Sequence, residues 1–171
     1  MLAEELLSRG LTFNRPGGGK FQIGWEAAMV VTRYVQDEGH KPEAGGVLLG
    51  RHIHNSQDII VDQVTTPMRG DHCSRTHYYR ARQRHQDAID RAWRGSGGTC
   101  TYLGEWHTHP ETMPTPSLID QLTWRRKLMV DQFAGCLFFV IVGLDDVGVW
   151  EGHRRSPFLY PVRLITSLCH E

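Results

Sequence analysis

The sequence predicts an α/β fold, a sandwich of helices around a mixed sheet. Two observations carry this expectation. Apolar, β-rich runs such as AGGVLLGRHI and CLFFVIVGL alternate with stretches whose apolar residues recur every three or four positions, the period of a packed helix. At 171 residues the chain is long enough to bury a core without disulfide or metal staples, so one domain over 1–171 is expected.

Residues 1–22 read as an N-terminal extension in which RPGGGK, residues 15–20, makes a turn or flexible loop between short extended pieces. These glycines are not a phosphate loop, because Lys20 is followed by Phe21 and Gln22 and not by the Ser or Thr that opens a helix there. From Gly24 to Gln36, Ala27, Val30, Val31 and Tyr34 mark the buried stripe of a first helix. After the polar break GHKPE, the runs AGGVLLGRHI and DIIVDQVTTP flank the turn-prone HNSQ and read as an antiparallel hairpin. Residues 66–76 are irregular, and Tyr78 to Arg94 reads as a second helix stopped by GSGG. TCTYLGEWHTH is again extended, SLIDQLTWRRKLMVD is helical with Ser117 as its N-cap, and CLFFVIVGL is a fully apolar strand. GVWEG and FLYPVRLI supply two more strands. The expected order is therefore β-α-β-β-α-β-α-β-β-β, and all five tryptophans (Trp25, Trp93, Trp106, Trp124 and Trp150) are expected in the core.

Charge excludes some classes of partner. Lys plus Arg and Asp plus Glu both number 19, so no net field recruits nucleic acid or an anionic membrane. Glu4, Glu5 and Arg9 interrupt the first apolar stretch, which reads as neither export signal nor membrane span, and a cytoplasmic protein is expected. Cys73, Cys100, Cys136 and Cys169 form no CxxC pair and are expected as reduced thiols rather than a zinc site. Of the ten histidines, His52, His54, His72, His153 and His170 fall in turns, strand edges or the terminus and are expected to be exposed.

The informative stretch is WHTHPETMPTPSLID. His107 and His109 alternate at the end of an extended run, so their side chains project to one side. Prolines 110, 114 and 116 keep the following loop out of a helix until Ser117 opens one, whose first turn presents Asp120. Two neutral imidazoles and one carboxylate suit Zn²⁺, and three protein ligands leave a position for water, as a catalytic metal requires. Such a water is acidified toward neutral pH and becomes a nucleophile.

His107-x-His109, seven residues, Ser117, two residues and Asp120 resemble, without a gap, the signature of the JAMM (MPN-type) zinc metallopeptidases. That family also carries an upstream glutamate in a Glu-x-x-Gly-x-Leu-x-Gly-like segment after the first helix, and Glu43 in EAGGVLLG fits it. The resemblance covers the chain from the helix at 24 to the strand near 150. It implies a cytidine-deaminase-like α-β-α sandwich around a mixed, curved sheet, with one zinc per chain on His107, His109 and Asp120. It further implies Glu43 as general base and Ser117 as the hydrogen-bond donor to the developing oxyanion. Glu105, two residues before His107 on the same strand face, is a rival base; its bland reading is a supporting or surface carboxylate.

Within the family, GEWHTHP, RTHYYRAR and HQDAID are similar to the small bacterial peptidases of antiphage CBASS operons. Those reverse the attachment of a cGAS-like nucleotidyltransferase, through its C-terminus, to target amines. The implied substrate is a protein with a flexible C-terminal tail, over which residues 66–76 would fold with Arg69 or Arg75 touching the tail. The alternatives are a processing peptidase for a ubiquitin-like or sulfur-carrier protein, and a scaffold of the same fold without catalysis.

Overall fold

The computed structural model of the chain describes residues 9–165. Glu4 and Glu5 at one end, and Cys169 and His170 at the other, lie outside the described residues. Strands β1 (Leu11–Asn14) and β2 (Lys20–Ile23) form a hairpin around the RPGGGK loop. Their residues alternate, with Leu11, Phe13, Phe21 and Ile23 buried. Helix α1 (Trp25–Thr32) follows, then the antiparallel pair β3 (Gly45–His52) and β4 (Ile59–Val64). A small hairpin of β5 (His72–Ser74) and β6 (His77–Tyr79) precedes α2 (Arg82–Gly95). Strand β7 (Thr101–Thr108), helix α3 (Leu118–Val130) and strands β8 (Cys136–Val142), β9 (Val147–His153), β10 (Leu159–Pro161) and β11 (Arg163–Leu164) complete the chain.

Nine of these strands form one mixed sheet in the order β10-β9-β8-β7-β3-β4-β2-β1-β11, with β2–β4 and β7–β8 parallel and the other pairs antiparallel. The sheet curls strongly. Phe21 on β2 stacks on Phe138 of β8 with ring centroids 4.0 Å apart, although three strands separate them in the sheet. Residues 159–164 pair first with β9 at one edge and then with β1 at the other, so a single short segment links both edges. This nearly closes the sheet and leaves little unpaired edge for other chains to extend.

Strands β3, β7, β8 and β9 send residues to two cores. Leu48, Leu103, Phe138 and Val140 join Phe13, Phe21 and the α1 residues Ala27, Ala28 and Val31 inside the curl. Val47, Leu49, Leu137, Phe139 and Ile141 face outward, where Trp124 and Leu128 of α3 and Ile89 and Ala92 of α2 cover them. Helices thus lie on both faces, the α-β-α arrangement expected.

Gly104 makes the tight packing of β7 on β8 possible. It has φ +137°, and a Cβ there would stand 1.8 Å from the Phe138 carbonyl oxygen.

Several local expectations shift. The hairpin read as an extension is built into the sheet; two apolar residues in each four-residue strand are too short a pattern to announce it. Helix α2 begins at Arg82 because Tyr78 and Tyr79 pair with β5 instead. Trp106 and Trp124 are buried, but Trp25, at the first turn of α1, is 54% exposed, and Trp93, whose ring lies over Gly98, is 50% exposed. Cys73, Cys100 and Cys136 are free thiols, and burial pushes Cys136 up to about 12. Among the described residues no helix is long and apolar enough to cross a membrane.

Candidate metal centre and active site

The β3–β7 register assembles the site. Gly45 pairs with His107, and Ala44 holds Thr108 twice: the Thr108 N–H donates to the Ala44 carbonyl, and the Ala44 N–H donates to Thr108 Oγ1. Continuing that register two residues sets Glu43 opposite His109. The approach is close enough that a Cβ on Gly45 would meet the Trp106 carbonyl at 2.5 Å and the Tyr78 ring at 2.6 Å. The Glu43 N–H donates to the Ser74 carbonyl, which ties this corner to the β5–β6 hairpin.

Asp120 arrives from the other side. Ser117 caps α3, its Oγ accepting from the Asp120 N–H at 3.1 Å, while Asp120 Oδ2 accepts from the Ser117 N–H at 2.8 Å. This reciprocal box fixes the rotation of the first helical turn. The same carboxylate faces both imidazoles, with His107 Nε2 3.3 Å from Oδ1 and His109 Nε2 3.5 Å from Oδ2. The two Nε2 atoms are themselves 3.0 Å apart. Two imidazole nitrogens turned on one another beside a carboxylate is an arrangement a cation satisfies, and His107, His109 and Asp120 are the group among the described residues able to hold one.

Electrostatics sort the roles. Burial lowers His109, with His107 adding to the effect, so its ring stays neutral and keeps a lone pair for a metal. Burial works against the Asp120 carboxylate, but His107 and the Ser117 hydrogen bonds hold it at about 2. Glu43 is opposite in behaviour: burial, opposed by His107 and assisted by Asp120 and Glu111, lifts it to about 7. A carboxyl near 7, its Oε1 3.9 Å from His109 Nε2, is placed to exchange protons at neutral pH.

All five residues line one cleft of about 520 Å³. Ser117 sits at its rim with its hydroxyl donated to Asp120 Oδ2 at 2.6 Å. Glu105 lines the cleft further along, where Lys127 and Arg80 outweigh the cost of its burial and keep it below the ordinary carboxylate range. Arg75 donates Nη1 to the carbonyls of Glu38 and Lys41, and Arg69 is exposed; neither lines the cleft.

Sequence reading missed the support beneath this wall. Asp71 accepts from the Met68 and Ala81 N–H groups, from the Tyr78 hydroxyl at 2.9 Å and from His85 Nε2 at 3.0 Å. His85 Nδ1 in turn meets Thr65 Oγ1 at 2.7 Å, and Thr65 accepts from the Val47 N–H. The network pins residues 68–81, including the cleft-lining Tyr78, onto β3. Only the adjacency of polar residues to a buried histidine marks it, and burial is not visible in sequence.

The family model described as prokaryotic homologs of the JAB domain matches residues 27–155. The chain belongs to the prokaryotic JAB-domain family. Within it, this JAB-domain chain is 36% identical over 141 residues to the CD-NTase/cGAS isopeptidase of Vibrio cholerae serotype O1, covering 81% of this chain and 86% of that one. The Escherichia coli protein of the same name is 32% identical, over 75% and 78% of the two chains. A probable metalloprotease of Sinorhizobium fredii is 31% identical over 57% of this chain and 60% of its own. Among solved structures, a Desulfitobacterium hafniense protein shares the fold with TM-score 0.56 at 20% identity, over 81% of this chain and 87% of that one.

Proposed function

We propose that the chain is a zinc-dependent isopeptidase that hydrolyses the amide bond between the C-terminus of a conjugated protein and its target. The whole chain acts as one domain in the cytoplasm. The observation that carries the reading is the convergence of His107, His109 and Asp120 with Glu43 at the head of one cleft. Ligands at 2.0–2.1 Å on a tetrahedral zinc sit roughly 3.3 Å apart. The two Nε2 atoms, 3.0 Å apart, and the Asp120 carboxylate, with Oδ1 3.3 Å from His107 and Oδ2 3.5 Å from His109, are close enough to share one such ion.

A bound zinc supplies a Lewis acid that acidifies water and polarises the scissile carbonyl. The chain supplies the rest. Glu43 takes a proton from the attacking water and passes it to the leaving nitrogen, a role its raised affinity for protons suits. Ser117 turns its hydroxyl from Asp120 to the oxygen of the carbonyl as negative charge develops there. The cleft holds the tail extended, so a folded segment is excluded and the carbonyl is presented at near-attack distance. Arg69, exposed beyond the cleft, is available to contact the tail, whereas Arg75 contributes by ordering the loop it caps.

The relatives named CD-NTase/cGAS isopeptidase favour a cGAS-like nucleotidyltransferase as the conjugated protein. The test is a nucleotidyltransferase fused through its C-terminus to a reporter, incubated with zinc-loaded protein. Cleavage at the junction, stopped by EDTA, is expected. An intact fusion alongside processing of a ubiquitin-like sulfur carrier would move the substrate to the second class.

A further inference from the structure

The cleft holds a charge imbalance that the proposed chemistry does not use. Glu105 precedes His107 by two residues on β7, on the same face of the strand. Arg80 donates from Nε at 3.1 Å and also from Nη2 to a single oxygen, Glu105 Oε1. Lys127 Nζ stands 2.9 Å from that same oxygen. The three side chains are only 15%, 15% and 19% exposed, and all line the cleft. Among the described residues no second carboxylate lies within ion-pair distance of either cation.

Two cations on one carboxylate leave a net positive charge in a largely desolvated place. Such a charge is costly unless a counter-charge meets it. Among the described residues Arg80 Nη1 and the other Lys127 protons have no partner, so they can donate to an incoming anion. Alternate residues of a strand stand about 7 Å apart, the repeat that also separates alternate side chains of an extended peptide. An extended substrate whose carbonyl lies at His107 therefore brings a side chain two residues away to Arg80 and Lys127. On the isopeptidase reading the tail is the part that the conjugates have in common, so a fixed charge is of use on the tail's side of the bond.

We propose that Arg80 and Lys127, balanced on Glu105, form a subsite for an acidic side chain of the substrate tail, two residues before the carbonyl that is cut. The inference rests on the isopeptidase reading and names part of its specificity.

Free C-terminal tail peptides of the nucleotidyltransferase, with Glu or Lys at that position, test it by binding to the zinc-loaded protein. The Glu peptide should bind roughly fivefold more tightly, and the preference should fall to about twofold in Lys127→Gln, where Arg80 remains. The exposed Lys20→Gln should leave it unchanged. Equal binding of the two peptides to the wild-type protein overturns the subsite, as does a preference that survives Lys127→Gln undiminished. The peptide exchange alone needs no variant, so a Lys127→Gln protein that fails to fold does not remove the test. Peptides that discriminate while no fusion is cut would retain the acidic subsite and remove the isopeptidase reading.

Discussion

Glu43 Oε1 stands 3.9 Å from His109 Nε2, although the two residues are 66 positions apart in the chain. The relationship follows from one strand register, Gly45 opposite His107, which carries the acid past the end of β7 to the place where the second histidine leaves it. Glu43 is buried, is no part of the triad of candidate ligands and has a raised proton affinity. Glu43→Gln should therefore keep the bound metal and lower kcat by about 10²–10⁴-fold, the usual worth of a general base. Metal analysis beside a cleavage assay checks it. Loss of the metal would make Glu43 a ligand instead.

Glu105→Gln should behave differently, because its carboxylate serves Arg80 and Lys127. Turnover should fall far less than in Glu43→Gln, with the change seen mainly in KM. A larger kcat loss from Glu105→Gln than from Glu43→Gln would reverse the assignment of the base.

The candidate ligands His107, His109 and Asp120 could be picked out in the sequence because their geometry is local. His107 and His109 alternate on one strand, and Ser117 and Asp120 are three apart at a capped helix start, so spacing alone fixes where their side chains go. The strand at 136–142 and the β3–β4 hairpin were legible for the same reason. Hidden were features decided by distant pairing. The β1–β2 hairpin gains its place only through β4 and β11, and Tyr78 leaves the expected helix because β5 claims it. His85, on a helix that reads as charged throughout, is fully buried because Asp71 and Thr65 meet its two nitrogens.

Asp71→Asn should destabilise the fold by about 2–4 kcal/mol, since an amide cannot accept all four hydrogen bonds and the side chain lies almost wholly inside. Thermal or urea unfolding measures it. A cost below about 0.5 kcal/mol, ordinary for a surface change, would contradict the anchoring role.

Acid should unfold the protein through the same groups. Burial raises Asp71 and Glu105, but the donors to Asp71, and Lys127 and Arg80 at Glu105, prevail and hold both below their ordinary values. A carboxylate depressed in the folded state stabilises above its unfolded pKa, about 4, and that stability is lost as pH falls through the folded value. Measured in Glu43→Gln, which removes a carboxyl shifted the opposite way, the thermal midpoint should fall steeply below about pH 4, and less steeply when Asp71→Asn is added. A midpoint that rises on acidification would contradict the shifts.

One metal ion on His107, His109 and Asp120 is expected to be needed for amide hydrolysis. The direct measurement is the rate of fusion cleavage as zinc is returned to chelator-stripped protein. The rate should rise from near zero and level off at about one equivalent per chain, as a single three-ligand catalytic site requires. The His107→Ala, Asp120→Ala double variant should show neither the rise nor the bound ion. Full cleavage by stripped protein, or a double variant that still takes up one equivalent and cuts, would contradict the claim.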